Sequence, residues 1–448
     1  MHTERAGPGD QHVANRRVLV IGTTSDYIHL ISRRLPGRAV FLTDARERAG
    51  ATEPRPDVSA EALCDLGDAG RAVAALRAHL ARWAIQPAGI ACFDCESMPL
   101  AARIAAELAL PYPSARAVAA CRSKYACKRA WQAAGLPCPR VGLVGSASDA
   151  VQFLNRLGRP VVLKPLTGSG SELIFLCNSA DDCSSAFSTI RSRLTQHPDV
   201  RMYGPGATGV DRADLRLVCA VEEFVQGEEY SCDFVIDRGL VEVIRIARKV
   251  PASVQTFGTT LAYVVPAGLP EGIALDDFRT QLSGAARALG IERAICMLDF
   301  IVREGKAVMI EMAARPGGDC LPPLLLRSCG LDVLACTLDF AEGLPVTVPR
   351  PARWRRLVGL RLFAEQAGVI RNIDATALRA DRRVLECHLK RRPGCRIVFP
   401  PEDYDSRILG HVIFEPSGNV GIEEECLEIA AMLDLETGMP RCSTATPS

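Results

Sequence analysis

Two carboxylates and an arginine give the first chemical lead. Asp299 and Glu311 flank "FIVREGKAVMI", in which apolar runs surround Arg303-Glu304-Gly305-Lys306, the composition of a β-hairpin turn. With Gly305 at the centre, the two acids lie six residues to either side and oppose one another across the hairpin. Both then point to one face, while Phe300, Val302, Val308 and Ile310 fill the other. Opposed residues have Cβ atoms about 4.5–5.5 Å apart, where like charges destabilise the pair. A hard divalent cation such as Mg²⁺ would relieve that repulsion, its shell completed by waters and phosphate oxygens. The alternative is an exposed acidic face on an edge hairpin. Glu311, however, interrupts an apolar strand just before "AARPGG", a loop that supplies Arg315, Gly317 and Gly318.

Two further segments carry groups suited to a nucleotide. In "VVLKPLTGSGSEL" (161–173) a strand ends in Lys164, and a loop of Thr167, Gly168, Ser169, Gly170 and Ser171 follows. Such a loop can bring N–H groups and hydroxyls to phosphate oxygens while the lysine offsets their charge. It is no Walker A loop, because no Gly-Lys-Ser/Thr ends it, and taken alone it is more often a plain turn. In "VEEFVQGEEYS" (221–231) a strand, a connector with Gly227 and a second strand form a hinge-like unit. Its backbone could pair with an adenine edge and Glu229 could accept from ribose hydroxyls. An exposed acidic turn between two strands is an equal reading of that segment in isolation.

The elements that must position these groups suggest several domains. A chain of 448 residues exceeds one compact core, and 48% hydrophobic with 23% charged residues is a globular composition. A net charge of +1 gives no global pull toward nucleic acid or anionic membrane. No apolar run is long enough to span a bilayer, so a soluble, cytoplasmic protein is expected. Eighteen cysteines are scattered mostly among apolar neighbours, as reduced core thiols are. Cys92 and Cys95 have metal or redox spacing but lack a second ligand pair.

"VLVIG" (18–22) reads as a buried parallel strand, and alternating strands and helices to about residue 115 suggest an α/β domain. Ser123 is placed to cap a helix that Gly135 ends. Strands at 160–164, 218–225, 229–237 and 240–249 then suggest an antiparallel region with flanking helices, and 202–214 has the composition of a flexible loop. The expected division is a disordered leader (1–15), an N-terminal α/β domain (16–115), a central nucleotide-binding region (116–345), a C-terminal α+β domain (346–438) and a tail (439–448).

In this order the segments resemble the ATP-grasp superfamily. The resemblance runs from about residue 18 to 435. It includes Lys124 on a helix before "GLPCP", then Lys164 with Gly168 and Gly170, the "EEFVQGEEYS" hinge, and Asp299 with "E-x-x-x-R" from Glu311 to Arg315. It implies an ATP-grasp fold with an N-terminal α/β domain and a C-terminal α+β domain. By that resemblance Lys124 and Lys164 contact ATP phosphates and the Thr167–Ser171 loop closes over them. Glu222 accepts from the adenine amino group, the backbone near Glu223 and Val225 holds the ring edge, and Glu229 binds ribose. Asp299 and Glu311 ligate Mg²⁺ or Mn²⁺, and Lys249 is a looser match to another phosphate-binding lysine. Arg315 holds the substrate carboxylate or the charge on its acyl oxygen, while Gly317 and Gly318 let N–H groups approach it.

The family activates a carboxylate as an acyl phosphate that a nucleophile then attacks. Many members read Glu-x-Asn where this chain has Ala313, which cannot coordinate metal. "E-x-A-A-R" is more similar to the L-amino-acid ligase branch, which implies a carboxylate–amine ligase forming an amide or peptide bond, with small-molecule substrates and often a homodimer. Two alternatives are a bicarbonate-using carboxylase or carbamoyl-phosphate-type enzyme, and an ATP-binding protein without turnover.

Overall fold

A computed structural model describes residues 15–204, 214–252 and 255–438. The leader (save Asn15), the tail and most of the loop expected over 202–214 lie outside the described residues. Met202 and Tyr203 of that loop belong instead to a helical turn, Val200–Tyr203, capped by Asp199.

The first strands are β1 (Arg16–Ile21), β2 (Ala39–Asp44), β3 (Glu61–Cys64) and β4 (Gln86–Ala91). They form a parallel sheet in the order β3-β2-β1-β4. Val18 to Ile21 and Val40 to Leu42 are buried on both faces, which is why these strands are continuous apolar runs. Next come β5 (Val141–Val144), β6 (Val161–Pro165), β7 (Phe175–Cys177) and β8 (Cys219–Glu223), an antiparallel sheet ordered β5-β8-β6-β7. The helices Ala147–Leu157 and Ala180–Thr195 pack on it through Ala150, Leu154, Cys183, Phe187 and Ile190.

The remaining strands are β9 (Glu228–Asp237), β10 (Leu240–Pro251), β11 (Thr260–Val265), β12 (Arg293–Arg303), β13 (Lys306–Ala313), β14 (Leu357–Phe363), β15 (Gly368–Asp374), β16 (Val384–Leu389), β17 (Arg396–Ile397), β18 (Ile408–Phe414) and β19 (Asp434–Gly438). Eight of them make one sheet, β13-β12-β9-β10-β11-β14-β18-β16, and β17-β15-β19 form a small one beside it. The helices Lys124–Ala133 and Leu275–Ala288 cover one face of the large sheet, burying Trp131, Phe278 and Leu282 against Phe234, Phe300 and Met309. Truncating a buried aromatic such as Phe300 would cost about 3–5 kcal/mol. The architecture is a multidomain α/β and α+β assembly, with the N-terminal α/β and C-terminal α+β units that the resemblance implies. We propose that the divisions at 115/116 and 345/346 bound its units, with the large sheet running unbroken across the second of them.

Candidate active site

The hairpin of β12 and β13 pairs Asp299 with Glu311 by a route the sequence does not suggest. Its turn is the two-residue Glu304-Gly305, both with positive φ, and Arg303 opposes Lys306. That register opposes Phe300 with Met309, so Asp299 would meet Ile310. A bulge between Asp299 and Phe300 shifts the pairing by one residue and brings Glu311 opposite Asp299. The packed partner of Phe300 is therefore Met309, not the expected Ile310, which is only partly buried. Lys128 serves the carbonyl of Ile310, donating to it at 2.5 Å. The bulge thus sets the acid pair, and a buried lysine supports the bulge.

Lys128 lies one turn after Lys124 on a helix that Ser123 caps, its hydroxyl accepting from the N–H of Ala126. Both lysines face the site. Lys124 Nζ reaches the Gly168 carbonyl at 2.9 Å and Glu311 Oε2 at 3.4 Å. Lys128, with 0% of its side chain exposed, pairs with Glu222 Oε1 at 2.8 Å, and Lys164 takes Glu222 Oε2 at 2.8 Å. Glu222, expected at the adenine amino group, is thus engaged on both oxygens by buried lysines. Lys128 is a site residue that the motifs do not mark, although its i,i+4 spacing from Lys124 puts both on one helix face.

The shared carboxylate leaves the two ammonium groups unequal. Burial works against Lys128, but Glu222, Cys127 and Glu311 hold its pKa above the lysine range. Burial, with Lys128 and Lys124 nearby, outweighs Glu222 at Lys164 and brings it down to about 8. Lys128 has Glu311 near it as a second acid, whereas Lys164 has two other lysines near it, and the two pKa values part accordingly. Burial disfavours the charge on Glu311 too, but Lys124, Lys164 and Lys128 keep its pKa below the usual carboxylate range. Lys164 is charged below its pKa and neutral above it. If it binds phosphate as an ammonium, kcat/KM for ATP is expected to fall as pH rises through about 8. A flat profile of kcat/KM from about pH 7 to about pH 9, roughly one unit either side of that value, would contradict this.

The Thr167–Ser171 loop is fastened at both ends. Thr167 is buried and donates to the Met202 carbonyl at 2.7 Å, so its hydroxyl anchors the loop, and Ser171 donates to the Gly258 carbonyl at 2.7 Å. Ser169 and Gly170 are the exposed tip. In the hinge, Val225 is buried and Glu223 pairs with Arg159 at 3.2 Å. Gly227 lies on the hairpin, where a Cβ would fall inside the Val302 carbonyl, so the connector there requires glycine. Glu229 reaches Lys249 at 3.3 Å, and Lys249 reaches Asp299 at 3.2 Å. Burial opposes the Lys249 charge, but Asp299 and Glu229 raise its pKa.

Register carries these groups onto one face of the large sheet. Asp299 opposes Glu311 and Ser231, Lys249 opposes Tyr263, and Arg361 opposes His411. Over the same face, the loop after β13 brings Asp319 to Arg361 at 2.8 Å. Arg315 donates to Cys95 Sγ at 3.0 Å and to the Pro316 carbonyl at 2.8 Å. The Gly317 N–H does not face outward as expected: it donates to buried Asp233 at 3.1 Å and is already used. Gly318 stays partly exposed, and a Cβ there would sit 3.7 Å from Arg315 Nη1 and from the Tyr27 hydroxyl.

Asp299 and Glu311 fit a hard cation. Both are partly exposed, at 27% and 28% of their side chains, and each carries oxygen donors opposite the other. Among the described residues no group of three or more His, Cys, Asp or Glu could hold a metal, so any ion there would draw its other ligands from solvent and phosphate. No helix among these residues is long and apolar enough to cross a membrane.

The chain is similar to known proteins in sequence and in fold. A family model described as an ATP-grasp domain matches residues 157–323. Over 257 residues the chain is 29% identical to the D-alanine–D-alanine ligase of Paracidovorax citrulli, an alignment covering 53% of this chain and 67% of that relative. The L-amino acid ligase from Bacillus licheniformis superposes with a TM-score of 0.73 at 20% identity, over 94% of this chain and 99% of that one. Biotin carboxylase from Campylobacter jejuni, in a β-γ-ATP complex, superposes with a TM-score of 0.64 at 16% identity, over 94% and 92% of the two chains. At those identities the structural likeness is one of fold.

Proposed function

From the premise that this chain is an ATP-grasp protein of the ATP-dependent ligase kind, we propose that it joins a carboxylate to an amine. ATP is cleaved to ADP and phosphate, and the substrates are amino acids or similar small molecules. The observation that carries the reading is the shared sheet face on which Asp299 opposes Glu311, between the lysine cluster and the loop holding Arg315.

The proposed reaction has two displacements. A substrate carboxylate oxygen attacks the γ-phosphorus, the bond to the β-phosphate oxygen breaks and ADP leaves. The amine then attacks the acyl carbon, the bond to phosphate breaks, and phosphate leaves as the nitrogen loses a proton. Lys124 and Lys164 offset phosphate charge, Ser169 and Gly170 cover it, and the hinge at 222–229 receives the adenosine. Asp299 and Glu311 would hold Mg²⁺ or Mn²⁺, which when bound neutralises charge on the phosphate oxygens. Arg315 holds the carboxylate and then the acyl oxygen as charge builds on it. Lys249, tied to Asp299 and Glu229, adds a cation between the acids and ribose.

A screen of amino-acid pairs for phosphate release, with mass detection of the condensed product, tests the reading. Product formation that requires both partners supports it. Phosphate release with bicarbonate alone would move the chain to a carboxylase reading, and nucleotide binding without turnover would make it a non-catalytic ATP-binding protein.

A further inference from the structure

A buried ion pair that the proposed mechanism does not use lies beneath the loop after β13. Asp233 on β9 and Arg245 on β10 both have 0% of their side chains exposed. They meet as two forks, Nε to Oδ2 and Nη2 to Oδ1, each at 2.9 Å. Arg245 also donates to the Ser231 carbonyl at 3.0 Å and hydroxyl at 3.2 Å. Asp233 has capacity left, and the loop takes it through the Gly317 N–H at 3.1 Å. A Cβ on Gly317 would collide with Arg245 and would stand 2.8 Å from Leu321. The loop backbone therefore rests directly on the ion pair, at the one residue type that allows it.

Stability alone is a poor account of this arrangement. Replacing a buried ion pair by apolar residues of similar volume is often neutral or stabilising, whereas removing one partner is costly. We infer that Asp233 and Arg245 are positioning residues for the reaction. They fix Gly317, two residues beyond Arg315, and so hold the Arg315 guanidinium and Gly318 over the sheet face that carries Asp299 and Glu311. The inference rests on the ligase reading of that loop.

The test uses three variants of the full chain: Arg245→Met, the double variant Asp233→Leu/Arg245→Met, and Gly317→Ala. Melting temperature, ADP affinity with Mg²⁺ by calorimetry, and kcat with the amino-acid pair that the wild type condenses are measured for each. Arg245→Met is expected to melt lower, because it strands a buried carboxylate. The double variant should recover most of that loss and bind ADP within about twofold of wild type, yet turn over about a hundredfold more slowly, the penalty of a misplaced catalytic group. Gly317→Ala should lower kcat with the same sparing of ADP affinity while leaving both charges in place. Recovery of kcat along with melting temperature in the double variant, or an unchanged kcat in Gly317→Ala, would overturn the inference alone. A wild type that binds ADP and condenses no pair would overturn the ligase reading and this inference with it.

Discussion

Glu311→Gln is expected to lower kcat by about a thousandfold, the scale of several kcal/mol of lost charge stabilisation. Asp299→Asn should do the same. The substitution keeps the shape of Glu311 but removes the charge that partners Asp299 across the hairpin. It also removes one of the two acids, Glu222 being the other, that sit among Lys124, Lys128 and Lys164, so the net positive charge of that cluster rises by one. Metal-free ATP should therefore bind the variant as tightly as wild type or more tightly, while the gain in affinity on adding Mg²⁺ shrinks. Equilibrium binding with and without Mg²⁺ separates these effects. Loss of metal-free ATP binding together with kcat would point to a damaged fold and against the assignment of these acids.

Arg315→Ala should cost turnover about a hundred- to a thousandfold, as loss of a donor to a developing oxyanion does. ATP affinity should hardly change, because Arg315 touches Cys95 and Pro316 and not the lysine cluster. Arg315→Lys should recover only part of the loss, since an ammonium cannot reproduce the planar two-pronged contact of a guanidinium with a carboxylate. The readout is kcat and each substrate's KM, with the effect expected in kcat and in the carboxylate's KM. An Arg315→Ala enzyme with near wild-type kcat would remove this residue from the chemistry.

Some of this site is legible in the sequence and some of it is not, and the difference is physical. Asp299, Glu311 and Arg315 interrupt apolar strand and loop patterns, so their cost in a buried setting marks them in the sequence alone. The Thr167–Ser171 glycines and the Gly227 connector are readable for a similar reason, because only certain residues allow those turns. The bulge that sets the register is invisible, since a turn centred on Gly305 and a two-residue turn followed by a bulge oppose the same acids. Lys128 reads as an ordinary helical lysine, and only the packing of its helix presses it against Glu222 and Ile310. Asp233 and Arg245 are the hardest to see. They are 12 positions apart on adjacent strands, and each reads as one polar residue on a strand face. Only the pairing of β9 with β10 and the return of the β13 loop bring them together under Gly317. Long-range contacts of that kind carry no local signal. For the same reason the sequence leaves the Gly317 N–H free for substrate, whereas the fold spends it on Asp233.

Activation of the substrate carboxylate by transfer of the γ-phosphoryl group to its oxygen moves one carboxylate oxygen into the released phosphate. The direct measurement uses a condensed amino-acid pair whose activated partner carries ¹⁸O in its carboxylate, followed by mass analysis of the released phosphate. One labelled oxygen is expected in each phosphate, with the complementary loss from the amide product. Phosphate released without label, alongside product formation, would rule out acyl-phosphate activation.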